Sequence, residues 1–307
     1  MKLQALIDQY IGYRKSLGED FSTNARRLKE FYRLIGKNVA ISEISSKQIT
    51  KFLYGKKFAL TYFAKYSVLK GFYNYSISRG YVNACPLPTV LPKRPPPFVP
   101  YVYSHEELKK FFAATLTSGH YKVVPYTAYV FFVLLYGTGL RVKEALSLTM
   151  SDVDLSQSIL TIRNTKFYKT RIVPLNKDLS KLLIEYAKYR KNNKYTQQNH
   201  AAFFMSKKCK PLIYITMRGI FVQICKKAGI KRINYRPRIH DFRGTFATHR
   251  IISWYKTNAN FQNLLPLLSV YMGHKDLSST ATYLSMTPEL LYTANQRFEK
   301  YANGGVR

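Results

Sequence analysis

The amino-acid sequence predicts a mainly α-helical protein with one small β-hairpin or sheet, divided into two domains. Apolar residues recur at helical spacing through most of the chain, and two short β-branched runs flank a basic segment at 164–170. A proline-rich stretch separates two parts of a chain whose 307 residues exceed the length of a typical single domain. We therefore expect a helical N-terminal domain at 1–82, a linker at 83–103 and an α+β domain at 104–307.

The first domain is predicted to consist of four helices. Gly18, Gly36 and Gly80 follow the first, second and fourth apolar patterns, and glycine commonly ends a helix. Ser45 with Gln48 forms a capping box that starts a short third helix. The other three helices are expected near residues 3–18, 23–35 and 60–78.

The linker is marked by its prolines, since it holds seven of the thirteen in the chain. Each proline ring removes a backbone donor and biases the preceding residue away from helix, so this stretch should be extended and semi-rigid. Lys93 and Arg94 within it are candidates for contact with a polyanion, although an ordinary solvated linker would also carry them.

The second domain is predicted to combine helices with one hairpin. Ser104 and Glu107 form a capping box that starts its first helix. The uncharged stretch at 123–140 is long enough to span a membrane, but it contains Pro125 and a glycine turn, so a buried core helix is predicted. The remaining elements are a helix at 141–147, strands at 159–163 and 171–175, a helix at 176–191, a short strand at 203–205, and helices at 217–228, around 240–243, before His274 and from Thr287.

Positive charge dominates the composition. The chain has 49 lysines and arginines against 16 acidic residues, a formal charge of +33, while its 46% hydrophobic content is typical of a folded protein. Two stretches, 44–105 and 186–240, contain no acidic residue but nine and fourteen basic ones. Composition alone fits nucleic acid or an anionic membrane. An ordinary solvated surface carries both positive and negative residues, so these stretches favour a polyanionic partner and salt-dependent binding.

The cysteines predict neither a disulfide framework nor a metal site. Cys85, Cys209 and Cys225 are odd in number and form no Cys-x-x-Cys pair, so reduced thiols are expected. No apolar segment of the kind found in secretory signals follows the first residues. We expect a cytoplasmic protein that needs no metal ion or other cofactor.

Six residues of the second domain form a candidate catalytic set. Taken singly, each has an ordinary structural interpretation. Arg141 could be a surface arginine at a helix start, and Tyr283, one of twenty-six tyrosines, could be a packing or surface residue. Together they supply two guanidinium groups, two imidazoles, an ammonium and a phenol, which suits attack by a tyrosine on a phosphodiester. The six are Arg141, Lys166, His240, Arg243, His274 and Tyr283.

These residues lie in motifs that resemble those of the tyrosine recombinase, or phage integrase, family of site-specific DNA recombinases. The resemblance covers about residues 104–299, whereas the first domain matches only in size, place and helix content. The matching segments are Thr-Gly-Leu-Arg-Val-Lys-Glu-Ala-Leu around Arg141, Lys-Thr-Arg-Ile-Val-Pro-Leu after Lys166, His-Asp-Phe-Arg from His240, Met-Gly-His-Lys around His274 and Ala-Thr-Tyr-Leu around Tyr283.

The resemblance implies that three of the residues bind the scissile phosphate. Arg141 and Arg243 would bind its non-bridging oxygens, because a planar guanidinium fork binds two oxygens at once. His274 would add a hydrogen bond to the same phosphate.

The other three would carry out the chemical step. His240 could accept the tyrosine proton, Lys166 would protonate the leaving 5′ oxygen, and Tyr283 would form a covalent link to the 3′ phosphate. Such a reaction needs neither ATP nor a metal ion.

The resemblance also implies double-stranded DNA as the partner, with two domains forming a clamp around it and four copies joining two sites. Lys93, Arg94, Lys169 and Arg171 are the predicted DNA contacts outside the catalytic set. The protein would be cytoplasmic, associated with the nucleoid, and would belong to a mobile genetic element.

Two departures and two alternatives accompany this hypothesis. Gly244 stands where the family usually has a histidine, and the segment at 257–268 is longer than usual. A DNA-binding regulator of the same fold that does not cut is one alternative, which the intact set of six residues argues against. A type IB topoisomerase-like enzyme, which shares the chemistry but needs no partner copies, is the other.

Overall fold

A computed structural model describes residues 2–54, 58–95, 100–163, 170–230, 237–257, 259–274 and 276–285, together with positions 292, 295, 296, 298 and 299. The chain separates into two compact units, and the boundary between them lies in the proline-rich stretch.

The first unit is an all-helical bundle. At its third helix, the Ser45 side chain accepts a hydrogen bond from the backbone N–H of Gln48, and the Gln48 side chain accepts one from the backbone N–H of Ser45, as the capping box predicts. Its core contains the fully buried Leu6, Phe31 and Phe72. The four predicted helices are confirmed, with bounds at α1 Leu3–Ser16, α2 Ser22–Ile35, α3 Ser46–Leu53 and α4 Phe58–Ser78.

The second unit is built around one apolar helix, α6. Its residues Val130, Phe131 and Phe132 are fully buried, which confirms the predicted core helix. Within the described residues, no helix combines the length and the apolar character needed to cross a bilayer. The helices of this unit are α5 His105–Leu116, α6 Pro125–Thr138, α7 Val142–Ser147, α8 Lys177–Asn192, α9 Tyr214–Lys227, α10 Asp241–Lys256, α11 Phe261–Met272 and α12 Ser278–Ala281.

A three-stranded antiparallel sheet of order β1-β2-β3 lies in the same unit. Its strands are β1 Val153–Asp154, β2 Ile159–Ile162 and β3 Arg171–Pro174, and Leu160 of β2 pairs with Val173 of β3. Both predicted hairpin strands are therefore confirmed, while the hairpin tip at 164–169 lies outside the described residues. The first strand was not predicted, because two residues are too few to show an alternating pattern.

Three predictions of local structure differ from the fold or fall outside it. The strand expected at 203–205 is wrong, since this stretch makes one isolated bridge, between Met205 and Pro211. The flanking residues make the hydrogen bonds of this bridge, from the Leu212 N–H to the Phe204 carbonyl and from the Ser206 N–H to the Lys210 carbonyl. Helix α9 begins three residues earlier than expected, because Ile213 precedes it without a side-chain cap that would mark the start. The helix expected from Thr287 lies outside the described residues.

Candidate active site

Arg141 lies where α6 ends and α7 begins. Gly139 closes α6 in the left-handed conformation, with φ of 63°, and a Cβ there would lie 2.5 Å from Cδ1 of Phe246, so the turn requires glycine. Nη1 of Arg141 donates to Oε1 of Glu144 at 2.9 Å, and the backbone N–H of Arg141 donates to Oε2 at 2.8 Å. The Arg141 side chain remains 37% exposed, so the guanidinium is both anchored and accessible.

Arg243 lies in the first turn of α10, and only 2% of its surface is exposed. Nη1 donates to the carbonyl of Gly139 and Nη2 to the carbonyl of Met272, both at 2.7 Å. These acceptors lie at the C-terminal ends of two helices, where carbonyls lack helical partners and the helix dipole is negative. Burial, followed by the charge of Arg141, lowers the pKa of Arg243 to about 10, so this side chain stays charged at neutral pH.

A second left-handed glycine turn joins the two arginines. Gly273 ends α11 with φ of 69°, and its carbonyl accepts a hydrogen bond from Nη2 of Arg141 at 3.0 Å. The ends of α6 and α11 therefore hold both guanidinium groups side by side, although the two arginines are 102 positions apart in sequence.

His274 follows this turn and lies beside Tyr283, the predicted nucleophile. The centroids of the His274 and Tyr283 rings are 6.0 Å apart, with planes inclined at 27°. Nδ1 of His274 lies 2.6 Å from Oγ1 of the buried Thr280. Tyr283 is also close enough to Arg243 to favour its charged form. One chain therefore brings two guanidinium groups, an imidazole and a phenol together.

His240 immediately precedes α10 and keeps exposed surface. Burial of part of the ring, followed by the charges of Arg243 and Arg238, lowers the pKa of His240. A neutral imidazole at physiological pH can accept a proton. The next residue, Asp241, is buried and forms an ion pair with Arg238, with 2.9 Å between Oδ1 and Nη2.

Gly244 borders the nucleophile from α10. A Cβ at this position would lie 3.7 Å from Cε1 of Tyr283 and 3.7 Å from Cβ of Pro100, which are ordinary contact distances. A methyl group would therefore fit at this position in contact with the phenol ring and Pro100.

The other predicted site residues are Lys93, Arg94, Lys166, Lys169 and Arg171. Lys166 and Lys169 are outside the described residues. Lys93 and Arg94 are exposed in the first unit, where the Arg94 guanidinium carbon is 5.1 Å from the centroid of the Phe63 ring. Arg171 is only 11% exposed and all three nitrogens of its guanidinium donate within the protein, which does not fit the predicted DNA contact.

Glu144 and Thr280 were not predicted as part of the site. Burial would raise the pKa of Glu144, but hydrogen bonds and charge from Arg171 and Arg141 outweigh it and lower this pKa to about 2. The sequence contained a signal for Glu144, because an acid at the third position of a helix often caps it. Nothing in the sequence pointed to Thr280. Among the described residues, no histidine, cysteine and carboxylate side chains group in the number needed to hold a metal ion.

The free energy of unfolding should decrease as the pH is lowered from about 6.5, the ordinary pKa of histidine, to about 4, the pKa of His274. Burial, followed by the charges of Arg243 and Arg141, causes this shift. In this range the unfolded chain binds a proton that the folded chain does not, so acid favours unfolding. Urea unfolding at pH 7.5 and pH 5 measures the effect. The variant His274→Gln should lose less stability over this interval than the native protein, and an equal loss in both would contradict the assignment.

Comparison with known sequences agrees with these motifs. Residues 102–289 match the model of the phage integrase family. Integrase/recombinase y4rB of Sinorhizobium fredii is 35% identical over 217 residues, which cover 69% of each protein. Tyrosine recombinase XerA of Pyrococcus horikoshii is 30% identical over 165 residues, which cover 54% of this chain and 52% of that protein.

Solved structures share the fold. The Tn1549 transposon integrase in complex with transposon right end DNA has a TM-score of 0.71 at 19% identity, over 98% of this chain and 100% of that chain. A lambda integrase tetramer bound to a Holliday junction has a TM-score of 0.68 at 17% identity, over 92% of this chain and 77% of that chain. With the family match spanning more than half of its length, the chain belongs to the phage integrase, or tyrosine recombinase, family.

Proposed function

We propose that the protein is a site-specific recombinase that cuts and rejoins DNA strands through a covalent 3′-phosphotyrosine at Tyr283. The convergence of Arg141, Arg243 and His274 beside that phenol supports the proposal most strongly. A mobile genetic element is the proposed setting, and the protein would act in the cytoplasm on the nucleoid.

The two arginines would stabilise the charge that develops on phosphorus during attack. Of the five N–H groups of the Arg243 guanidinium, the bonds to the carbonyls of Gly139 and Met272 use two. The group is held rigidly before DNA binds, so little reorganisation is needed in the transition state. Arg141, which is more exposed, would supply the second fork.

In the proposed step, Oη of Tyr283 forms a bond to phosphorus while the bond from phosphorus to the 5′ oxygen breaks. A tyrosine hydroxyl in water has a pKa of about 10, so its proton needs an acceptor, and His240 is the proposed base. Lys166 would give a proton to the departing 5′ oxygen. The phosphotyrosine preserves the energy of the phosphodiester, so attack by a 5′-hydroxyl from another strand reverses the step and rejoins the DNA in a new pairing.

Thr280 would orient His274 for this reaction. If Nε2 of His274 donates to the phosphate, Nδ1 must accept a hydrogen bond, and the Thr280 hydroxyl at 2.6 Å is positioned to donate it. We expect Thr280→Val to slow strand cleavage by about 3- to 10-fold, the value of one hydrogen bond, with unchanged DNA affinity. Thr280→Ser keeps the hydroxyl and is the matched control. Equal cleavage rates in the two variants would contradict this role.

The proposed substrate is double-stranded DNA gripped by both domains, with four copies assembling on two sites. Lys93, Arg94 and Lys169 remain the proposed contacts to the DNA backbone. Their contribution should appear as a salt-dependent affinity, because each phosphate contact releases counterions.

Incubation of the protein with a nicked cognate site tests the proposal. Inverted repeats in the DNA that flanks the gene would supply candidate sites. A covalent protein–DNA adduct resistant to denaturant is expected, and its absence would favour the non-cutting regulator. Synapsis of two sites by four protomers distinguishes a recombinase from a topoisomerase-like enzyme, which would relax supercoiled DNA without pairing sites.

A further inference from the structure

Arg171, the first residue of β3, makes an inward-facing set of contacts. Its Nη1 and Nη2 donate to Oε1 and Oε2 of Glu144 at 3.0 and 2.8 Å, and its Nε donates to the carbonyl of Tyr271 at 3.0 Å. A fork-to-fork pair of this kind fixes the relative orientation of both groups. With 11% of the Arg171 side chain and 8% of the Glu144 side chain exposed, solvent screens the pair weakly.

The same carboxylate orients the catalytic Arg141. Glu144 accepts four hydrogen bonds, two from Arg171 and two from Arg141. Both guanidinium groups therefore share one buried counter-charge. Loss of the Arg171 fork would leave Glu144 with half of these bonds and free it to rotate, and the Arg141 side chain would lose its fixed direction.

Arg171 also touches the turn on which the rest of the site depends. A Cβ at Gly273 would lie 2.8 Å from Nη1 of Arg171, so the guanidinium packs directly on that glycine. The Gly273 carbonyl accepts a bond from Arg141, and His274 is the next residue. One side chain therefore links β3 to α7 and to the end of α11.

We propose that Arg171 is a positioning residue for strand cleavage: it holds Arg141 through Glu144, and the Gly273 turn through Tyr271, without contacting DNA. This inference depends on the proposed function, because it concerns the same catalytic site. It assigns to Arg171 a role different from the DNA contact that the sequence predicts.

The variant Arg171→Lys tests the proposal with the charge retained. Lysine cannot bind a carboxylate through a planar fork, so Glu144 and Arg141 should lose their fixed geometry. We expect single-turnover cleavage of a nicked site to slow by about 10- to 100-fold, as for a misplacement of about 1 Å in other active sites. The dissociation constant for DNA and its salt dependence should not change. Arg163→Lys is the matched control, because Arg163 lies next to β2, pairs with Asp152 and is 56% exposed.

A DNA contact at Arg171 would give a different result. It would weaken binding and reduce the slope of log affinity against log salt concentration by about one, with cleavage unchanged at saturation. That outcome, or an unchanged cleavage rate in Arg171→Lys, would overturn the proposal. Circular dichroism of both lysine variants checks the fold, and Arg171→Met should give the same defect in cleavage or a larger one if it folds.

A substrate with sulfur in place of the bridging 5′ oxygen distinguishes an effect of Arg171 on Arg141 from an effect on proton donation by Lys166. Its P–S bond breaks to release a thiolate, which needs no proton from Lys166. The Arg171→Lys defect should persist on this substrate, because the proposal places the effect on Arg141. Full recovery would overturn the proposal, since the residue would then act on proton delivery from the hairpin. Failure of the native protein to form any adduct would instead reject the proposed function.

Discussion

Tyr283→Phe is expected to abolish the covalent adduct and all strand cleavage to the limit of detection. The substitution removes only the hydroxyl oxygen, which is the proposed nucleophile, and leaves the ring that packs near His274 and Gly244. Folding and DNA affinity should therefore stay close to those of the native protein. Adduct formation on a nicked site, followed by denaturing electrophoresis, measures the effect.

Tyr121→Phe is the matched control for this experiment. Tyr121 is 76% exposed, so its hydroxyl can be lost without disturbing the core. This control should retain native adduct formation. An adduct that persists in Tyr283→Phe would mean that another side chain attacks the phosphate, and the proposed role of Tyr283 would be wrong.

Substitution of Arg243 is expected to have the next largest effect. Loss of a preorganised donor to a developing negative charge typically lowers the rate by about 10²- to 10³-fold, and loss of a charged fork should reach at least the upper end of that range. DNA affinity should remain within a few-fold, because many other basic residues are available to contact phosphates. Single-turnover cleavage and equilibrium binding, measured on the same nicked site, separate the two quantities.

Two variants are needed, because Arg243 also has a structural role. Arg243→Ala leaves the buried carbonyls of Gly139 and Met272 without their donor, at a cost of about 1–3 kcal/mol each. Arg243→Lys keeps the charge but cannot reach both carbonyls as a planar fork, so it should cleave poorly while folding better. A large loss of affinity with unchanged cleavage at saturation would contradict the catalytic role. Arg94→Ala offers the contrast, since it should weaken binding and reduce the salt dependence.

Helices with local signals were predicted well from the sequence. Ser45, Ser104 and Asn176 each accept a hydrogen bond from the third residue of the helix that follows, and this bond depends on residues a few positions apart. Helix α9 lacks such a cap, and the sequence pattern predicts its start three residues too late. The strand expected at 203–205 failed because pairing depends on distant partners that a short apolar run does not identify.

The residues of the candidate active site also differ in whether the sequence alone predicts their placement. Spacing and motif were enough to choose Arg141, Arg243, His274 and Tyr283, which the fold brings together. The inward direction of Arg171 could not be predicted, because its partners Glu144 and Tyr271 are 27 and 100 residues away in sequence. The sequence of a basic hairpin does not show which basic side chain points inward, because that depends on where the fold places an acidic partner.

Main-chain carbonyls accept hydrogen bonds from both Arg243 and Arg141, and this limits which substitutions can remove those contacts. Acceptors at positions 139, 272 and 273 belong to the main chain, so no exchange of side chains can delete them. A shift of α6 against α11, or replacement of the glycine at position 139 or 273, would displace the acceptors. Side chains around Arg243 can therefore change while its two acceptors stay in place, provided that the two helix ends do not move. Arg141 differs, because it also depends on the side chains of Glu144 and Arg171.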